Sequence, residues 1–239
     1  MLALESHLQR VPEAVELSLH RQQGVSTLLC GVTPPAIDTH NLEELHMALV
    51  SLNEHPERFH WSNEPAAWAA GPPLEVTTRP DTDYWQRTHY GFRRDNGHFL
   101  YTPVAGDFTL TARVAFAPTA QYDQCGLMAR VDADTWIKCS VEYETPQLSR
   151  LGSVVTNLGF SDWATQDVAS TVSEMWYTIR REGDDFLLAW ADDGREWRQM
   201  RVTHLHNCPD EIEAGFYACS PTGPGFTCRV TELTVSAGQ

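Results

Sequence analysis

Positive charge is scarce in this chain. Seventeen lysines and arginines face 32 aspartates and glutamates, leaving a formal net charge of -15 over 239 residues. Nucleic acid demands a basic footprint and anionic membrane surfaces attract basic segments, so the balance argues against both as partners. Long apolar runs are missing as well, and no stretch approaches the roughly 20 residues of a membrane span. The first residues, MLALESHLQRVPEAVELSL, lack a basic stretch followed by an apolar core and carry Glu5, His7 and Pro12, which reads against a signal peptide. The six cysteines, Cys30, Cys125, Cys139, Cys208, Cys219 and Cys228, include no C-x-x-C pair, which weakens zinc and dithiol readings. A cytoplasmic protein with reduced thiols is the expectation. The G-x-S-x-G elbow, the G-x-x-x-x-G-K-[ST] phosphate loop and the G-x-G-x-x-G turn are all absent, so neither a catalytic serine nor a nucleotide cofactor is expected.

What is present is a sufficient core, at 42% hydrophobic residues, and a long series of short strand patterns. GDFTLTARVAF alternates Phe108, Leu110, Ala112 and Val114 against Thr109, Thr111 and Arg113. GFRRDNGHFLY carries Asn96-Gly97, a strong hairpin signal. SVVTN, MWYTIRRE, DFLLAWA, EWRQMRV, EAGFYACS and FTCRVTELTVS follow at short spacing, broken by Gly, Asp and Pro. This predicts an all-β antiparallel sandwich or barrel over residues 59–239. Residues 1–58 read differently, as an appendage of a short hairpin (VELSLH, VSTLLCGV) and one helix. Asn41 and Glu44 fit a capping box, and Leu42, Leu45, Leu49 and Leu52 form a narrow apolar stripe ending before His55-Pro56. That stripe packs on the host domain or joins subunits into a homo-oligomer.

The segment from Tyr122 to Glu144 carries the clearest functional pattern. In a strand, Trp136, Lys138, Ser140 and Glu142 share one side while Ile137, Cys139, Val141 and Tyr143 share the other. The preceding run divides into Leu127, Ala129 and Val131 against Gln124, Met128 and Arg130. A turn at Asp132-Ala133-Asp134 sets Arg130 opposite Trp136, Met128 opposite Lys138 and Gln124 opposite Glu142, so the apolar faces coincide; an even-numbered loop would throw them apart. The other face then presents an indole, a guanidinium, an ammonium, an amide and a carboxylate in rows, suited to a polyhydroxylated ligand. Its alternative is a plain solvated face. Lys138 and Glu142 lie roughly 13 Å apart along the strand, too far for a direct ion pair to account for both.

Other chemistry is thinner. Asp192, Gly194 and Trp197 in DDGREW match the D-x-G-x-x-W turn known as an Asp box, whose role is mechanical: Asp192 is expected to accept hydrogen bonds from the turn backbone, Gly194 to supply a positive φ and Trp197 to cover the hairpin. The E-x-D-x-x-E pattern of sandwich glucanases is missing, and only Glu142 and Glu144, about 7 Å apart along the strand, offer a carboxylate pair. His204 and His206 form an H-x-H without a third ligand, so no metal is expected. Aromatic density is high, and Trp136 and Trp163 are the first choices for exposure in a cleft.

Taken in order, DTDYWQRTHYGF, RDNGHF, YDQCGLMARVDADTWIKCSVEYE, SVVTNLGFSDW, DDGREW and GFYACSPTGPGF resemble the regulation-of-enolase family of concanavalin A-like proteins of unknown function, from about Phe59 to the C-terminus. The resemblance implies a concanavalin A-like jelly roll of two antiparallel sheets, with ligands on the concave sheet. The matched polar positions are Trp85, Thr88, His89, Asp95, His98, Tyr122, Asp123, Gln124, Arg130, Trp136, Lys138, Glu142, Ser161, Asp162 and Trp163. Cys125 and Cys139 replace small aliphatic residues, and the family implies no established reaction.

The expected protein is a carbohydrate or small-metabolite binder for a sugar or sugar phosphate. Its expected site comprises His98, Tyr122, Asp123, Gln124, Arg130, Trp136, Lys138, Glu142, Asp162 and Trp163. One alternative is a carbohydrate-active hydrolase using Glu142 with His98 or Lys138, and another is a regulatory protein docking on a metabolic enzyme through the helix. An enzyme would show its groups converging with a pKa pushed by burial, whereas a binding site would stay open and unperturbed.

Overall fold

The computed structural model describes residues 49–238. In chain order the strands are β1 (Leu49–Ser51), β2 (His60–Ser62), β3 (Ala67–Ala69), β4 (Leu74–Thr77), β5 (Tyr84–Gln86), β6 (Arg93–Asp95), β7 (His98–Ala105), β8 (Phe108–Ala117) and β9 (Gln124–Asp132). They continue with β10 (Thr135–Tyr143), β11 (Leu148–Asn157), β12 (Phe160–Ala169), β13 (Glu174–Glu182), β14 (Asp185–Ala191), β15 (Arg198–His204), β16 (Glu211–Cys219) and β17 (Thr227–Ala237). One sheet runs β15-β14-β13-β8-β17-β4-β3 with β1 also on β17, and the other runs β12-β11-β10-β9-β16-β7-β2. β5 and β6 form a separate two-stranded ribbon.

The two large sheets stack because their alternating strands each offer one apolar face. Leu110, Val114, Ile179, Leu188 and Leu233 from one sheet meet Leu127, Ile137, Val141, Leu151 and Phe216 from the other in a continuous core. This is the two-sheet antiparallel sandwich of the concanavalin A-like type. Tyr177 on β13 ties the sheets directly, its hydroxyl accepting the Val141 N–H of β10 at 2.9 Å.

The seven-stranded sheet also buries part of its outer face. Tyr84 and Trp85 of the β5–β6 ribbon pack on Phe99, Met128, Trp136, Val154, Tyr217 and Cys219, forming a second apolar cluster outside the sandwich. Tyr84 meets the Trp136 and Tyr217 rings edge-on, with centroids 6.0 and 6.3 Å apart. The ribbon is therefore a lid over part of the face that carries the polar rows.

The β9–β10 register is the expected one, with Arg130 opposite Trp136, Met128 opposite Lys138 and Gln124 opposite Glu142. Its turn is tighter than expected. Asp132 pairs with Thr135 around Ala133-Asp134, and a register shift next to Thr135 restores the alignment of the apolar faces.

Three expectations change. Leu49–Ser51 is not the end of a helix but strand β1, paired with β17 through Val50 and Val235, so the sandwich begins ahead of Phe59. The rest of that helix and the N-terminal hairpin lie outside the described residues. Asn96-Gly97 closes no hairpin, since β6 pairs with β5 while β7 pairs with β16 and β2. It anchors the ribbon instead: both its N–H groups donate to the Asp83 carbonyl at 3.1 Å, and the Asn96 side chain accepts the Asp83 N–H and donates to the Asp81 carbonyl. In the D-x-G-x-x-W turn, Gly194 does take a positive φ of 71°, but Asp193 receives the turn N–H groups of Arg195 and Glu196. Asp192 pairs with Arg198.

Candidate functional site

The site is built on the outer face of β9 and β10, where the cross-strand pair Gln124 and Glu142 sits beside Lys138. Lys138 is the single lysine of the sequence. It is 3% exposed, and its ammonium donates to the Tyr84 carbonyl at 3.0 Å and to Gln124 Oε1 at 2.9 Å, with Asp83 Oδ1 at 3.8 Å. A buried ammonium needs such acceptors, and hydrogen bonds to Tyr84 and Gln124 use two of its three N–H groups. Tyr217 lies 3.1 Å from Gln124 Oε1 and 2.8 Å from Ser140 Oγ. Two donors at Oε1 fix the amide orientation, so Gln124 Nε2 faces the carboxyl and donates to Glu142 Oε2 at 2.5 Å and to the Tyr122 carbonyl at 3.2 Å. Gln124 is thereby fully used as an orienting residue. Glu142 Oε1 has no partner among the described residues.

In front of this floor lies a cavity of about 420 Å³, within the size range of small-molecule sites. The ribbon and its flanks supply Asp81, Asp83, Trp85, Tyr90, Phe92 and Arg94; β11 and β12 supply Val154 and Trp163; the loops supply Tyr122, Pro221 and Thr222. Val154 and Trp163 are cross-strand partners. Tyr90 stacks on Phe92 at 5.8 Å and meets Trp85 edge-on at 5.4 Å. Tyr122 adopts φ of 71°, a left-handed conformation that costs roughly 1–3 kcal/mol in a bulky residue and that the surrounding loop must sustain. That loop is tied by Asp123, whose Oδ2 accepts the Thr119 and Ala120 N–H groups at 2.8 and 2.9 Å while Oδ1 accepts the Ser220 hydroxyl at 2.6 Å.

Burial pushes the Glu142 carboxyl up to about 8, against the pull of Lys138, with Asp83 and Glu144 adding to the rise and the Gln124 hydrogen bond opposing it. At neutral pH the floor therefore presents an ammonium and a neutral carboxylic acid side by side. Burial also pushes the Cys139 thiol up to about 12, so this cysteine on the apolar side stays protonated and unreactive.

The comparisons agree with the fold and place the chain in a family. The family described as a protein of unknown function (DUF1349) matches residues 61–237. The chain belongs to the DUF1349 family. A Saccharomyces cerevisiae relative named Regulation of enolase protein 1 is 30% identical over 188 residues, which is 78% of this chain and 93% of that protein. The crystal structure of a functionally unknown protein from Saccharomyces cerevisiae superposes with a TM-score of 0.72 at 29% identity, covering 77% of this chain and 98% of that one. A GH43 protein from Bacillus licheniformis shares the fold alone, with a TM-score of 0.59 at 12% identity over 76% of this chain and 37% of that one.

In this DUF1349 chain the ten residues singled out in the sequence divide evenly. Tyr122, Gln124, Lys138, Glu142 and Trp163 line the cavity. His98, Asp123, Arg130, Trp136 and Asp162 do not. Trp136 shares the face but is fully buried beneath Tyr84, so it is not the exposed ring expected of it. His98 has the parity of Leu100 and Thr102, away from Phe99 and Tyr101; it is buried, accepting the Arg79 N–H at Nε2 and contacting the Asn63 carbonyl at Nδ1. It cannot partner Glu142. Arg130 is held by Asp95 through two bonds of 2.9 and 3.0 Å. Asp162 faces the other way from Trp163 and pairs with Arg201.

The sequence reading counted Tyr90 only in its general aromatic excess and passed over Asp81, Asp83, Phe92, Arg94, Pro221 and Thr222. The alternation DTDYW, two carboxylates ahead of two aromatics, was the available signal for the first pair. Nothing in the sequence shows that β5 and β6 leave the main sheets to cover β9 and β10. No helix among the described residues is long and apolar enough to cross a membrane.

Proposed function

We propose that this protein binds a polyhydroxylated small molecule, a sugar or sugar phosphate, in the cavity between the β5–β6 ribbon and the seven-stranded sheet. The observation that carries the reading is the pairing of two surfaces in one concavity. Trp163, Tyr122, Phe92 and Tyr90 remain 36, 36, 42 and 56% exposed on the wall, while the floor is an ordered set of donors and acceptors. Aromatic faces suit the C–H face of a sugar ring. The spare N–H of Lys138 and the free oxygens Glu142 Oε1 and Asp83 Oδ2 suit adjacent hydroxyls. Titration calorimetry with neutral and phosphorylated monosaccharides tests it: at least one binds, and Trp163→Ala weakens that binding about 10-fold, a loss of about 1.4 kcal/mol, with the melting temperature little changed. If no sugar in the panel binds at millimolar concentration, the reading is wrong.

The relative named for regulation of enolase supports a regulatory role, in which occupancy of this cavity is the signal and a metabolic enzyme in the cytoplasm is the partner. The five described cysteines are free thiols, in keeping with a reducing compartment. Tagged full-length chain should then retain enolase from solution to an extent that changes with saturating sugar. Retention of none, with or without sugar, removes this role.

A further inference from the structure

Resting on the sugar-binding reading, we propose that the same cavity hydrolyses an O-glycosidic bond, with the Glu142 carboxyl protonating the leaving oxygen and Asp83 taking a proton from the attacking water. The structure removes His98 as a partner for Glu142 and brings in Asp83, which lines the cavity from the ribbon. Each carboxyl is anchored by one oxygen and free at the other among the described residues. Glu142 Oε2 accepts from Gln124, and Asp83 Oδ1 accepts the Tyr84 N–H at 2.8 Å, leaving Glu142 Oε1 and Asp83 Oδ2. Both are linked to the same ammonium, Asp83 across 3.8 Å and Glu142 through the Gln124 amide. Glu142 from the floor and Asp83 from beside the ribbon thus put two carboxyls in one sugar-sized cavity, the pair of groups that glycoside hydrolysis uses. The raised Glu142 value supplies a carboxylic acid that keeps its proton at neutral pH, as an acid catalyst must.

The chemistry closes with water alone. The bond from the anomeric carbon to the leaving oxygen breaks, and that oxygen departs as an alcohol carrying the Glu142 proton. The water oxygen bonds to the anomeric carbon, its proton passes to Asp83, and exchange with solvent returns one proton to Glu142. Lys138, already held by Tyr84 and Gln124, uses its third N–H to position a ring hydroxyl.

The test uses the full chain with nitrophenyl and methyl glycosides of common hexoses and pentoses in both anomeric forms, between pH 5 and 9. At least one is hydrolysed, and the rate falls as the pH rises through about 8, where Glu142 loses its proton. Asp83→Asn lowers kcat about 100-fold but weakens binding of the product sugar by no more than about 10-fold, because its amide oxygen still accepts from a hydroxyl, and an unchanged kcat would overturn the assignment of Asp83 as the base. Glu142→Gln lowers kcat about 100-fold for methyl glycosides but much less for nitrophenyl glycosides, whose leaving group departs without a proton. An equal loss for both leaving groups would overturn the assignment of Glu142 as the acid. Sugars that bind while no glycoside is cleaved would overturn catalysis and leave the binding reading intact. If no sugar binds at all, both fall together.

Discussion

At the scale of single residues, Glu142 carries a measurable consequence for stability. Its carboxyl is raised from the ordinary 4.5 to about 8 in the folded chain. Between those values the folded state holds a proton that the unfolded state has released, so this group's contribution is fully present below about 4.5 and is lost as the pH rises through about 8. Glu142→Gln removes that dependence without changing the shape of the site. The variant should gain stability relative to the parent as the pH rises from 5 to 9, by roughly 2 kcal/mol once solvent access to a half-buried carboxyl is allowed for. Melting temperatures of the two proteins across that range check it, and a constant difference would mean that Glu142 is not perturbed. The same carboxyl shows why residue-level reading of the sequence stops where it does. Its place opposite Gln124 follows from period-two alternation, but its burial and the charge of Asp83, about 60 residues earlier in the chain, which together raise it, do not.

At the scale of elements, alternation was legible and coverage was not. The β9–β10 pattern gave the pairing of Gln124 with Glu142 because one face of that hairpin had to meet the core, and any slip would have exposed Leu127 and Ile137. The same pattern cannot distinguish Trp136 from Lys138 or Glu142 on the outer face, since what covers a strand belongs to another part of the chain. Here the β5–β6 ribbon stops over Trp136 and leaves the Glu142 end open, turning one row of polar and aromatic side chains into half core and half site. The leucine spacing before His55 misled for a related reason. Leu49 and Leu52 fit the stripe of the helix expected over residues 41–52, but β17 offers a free edge at Thr234–Ser236 whose backbone groups pair with Leu49–Ser51, so these residues extend the sheet. Asn96-Gly97 likewise has the right residues for a tight turn, and it is used to tie the ribbon to the sheet through Asp83 rather than to join two paired strands.

At the scale of the whole molecule, the deficit of positive charge noted first in the sequence sets how stability responds to salt. A net charge of -15 is self-repulsive, and folding of the described residues brings the charges they carry closer together. Opposing this are ion pairs such as Arg93 with Asp134, Arg113 with Glu174 and Arg229 with Glu75, all near the surface. Exposed pairs of this kind contribute about 0–1 kcal/mol each, with many near zero, and salt weakens them over the same range in which it screens the repulsion. Carboxylates outnumber lysines and arginines by 15 over the sequence, so they cannot each have a cation of their own, and screening of the repulsion outweighs the weakening of the pairs. Raising sodium chloride from about 20 to about 500 mM, which shortens the screening length from roughly 20 Å to about 4 Å, should therefore raise the melting temperature by about 2–4 °C, equivalent to about 1 kcal/mol for a domain of this size. Scanning calorimetry in a weakly interacting buffer at pH 7 measures it, and a fall in melting temperature would show that the surface pairs, rather than the unpaired carboxylates, dominate the electrostatics of the fold.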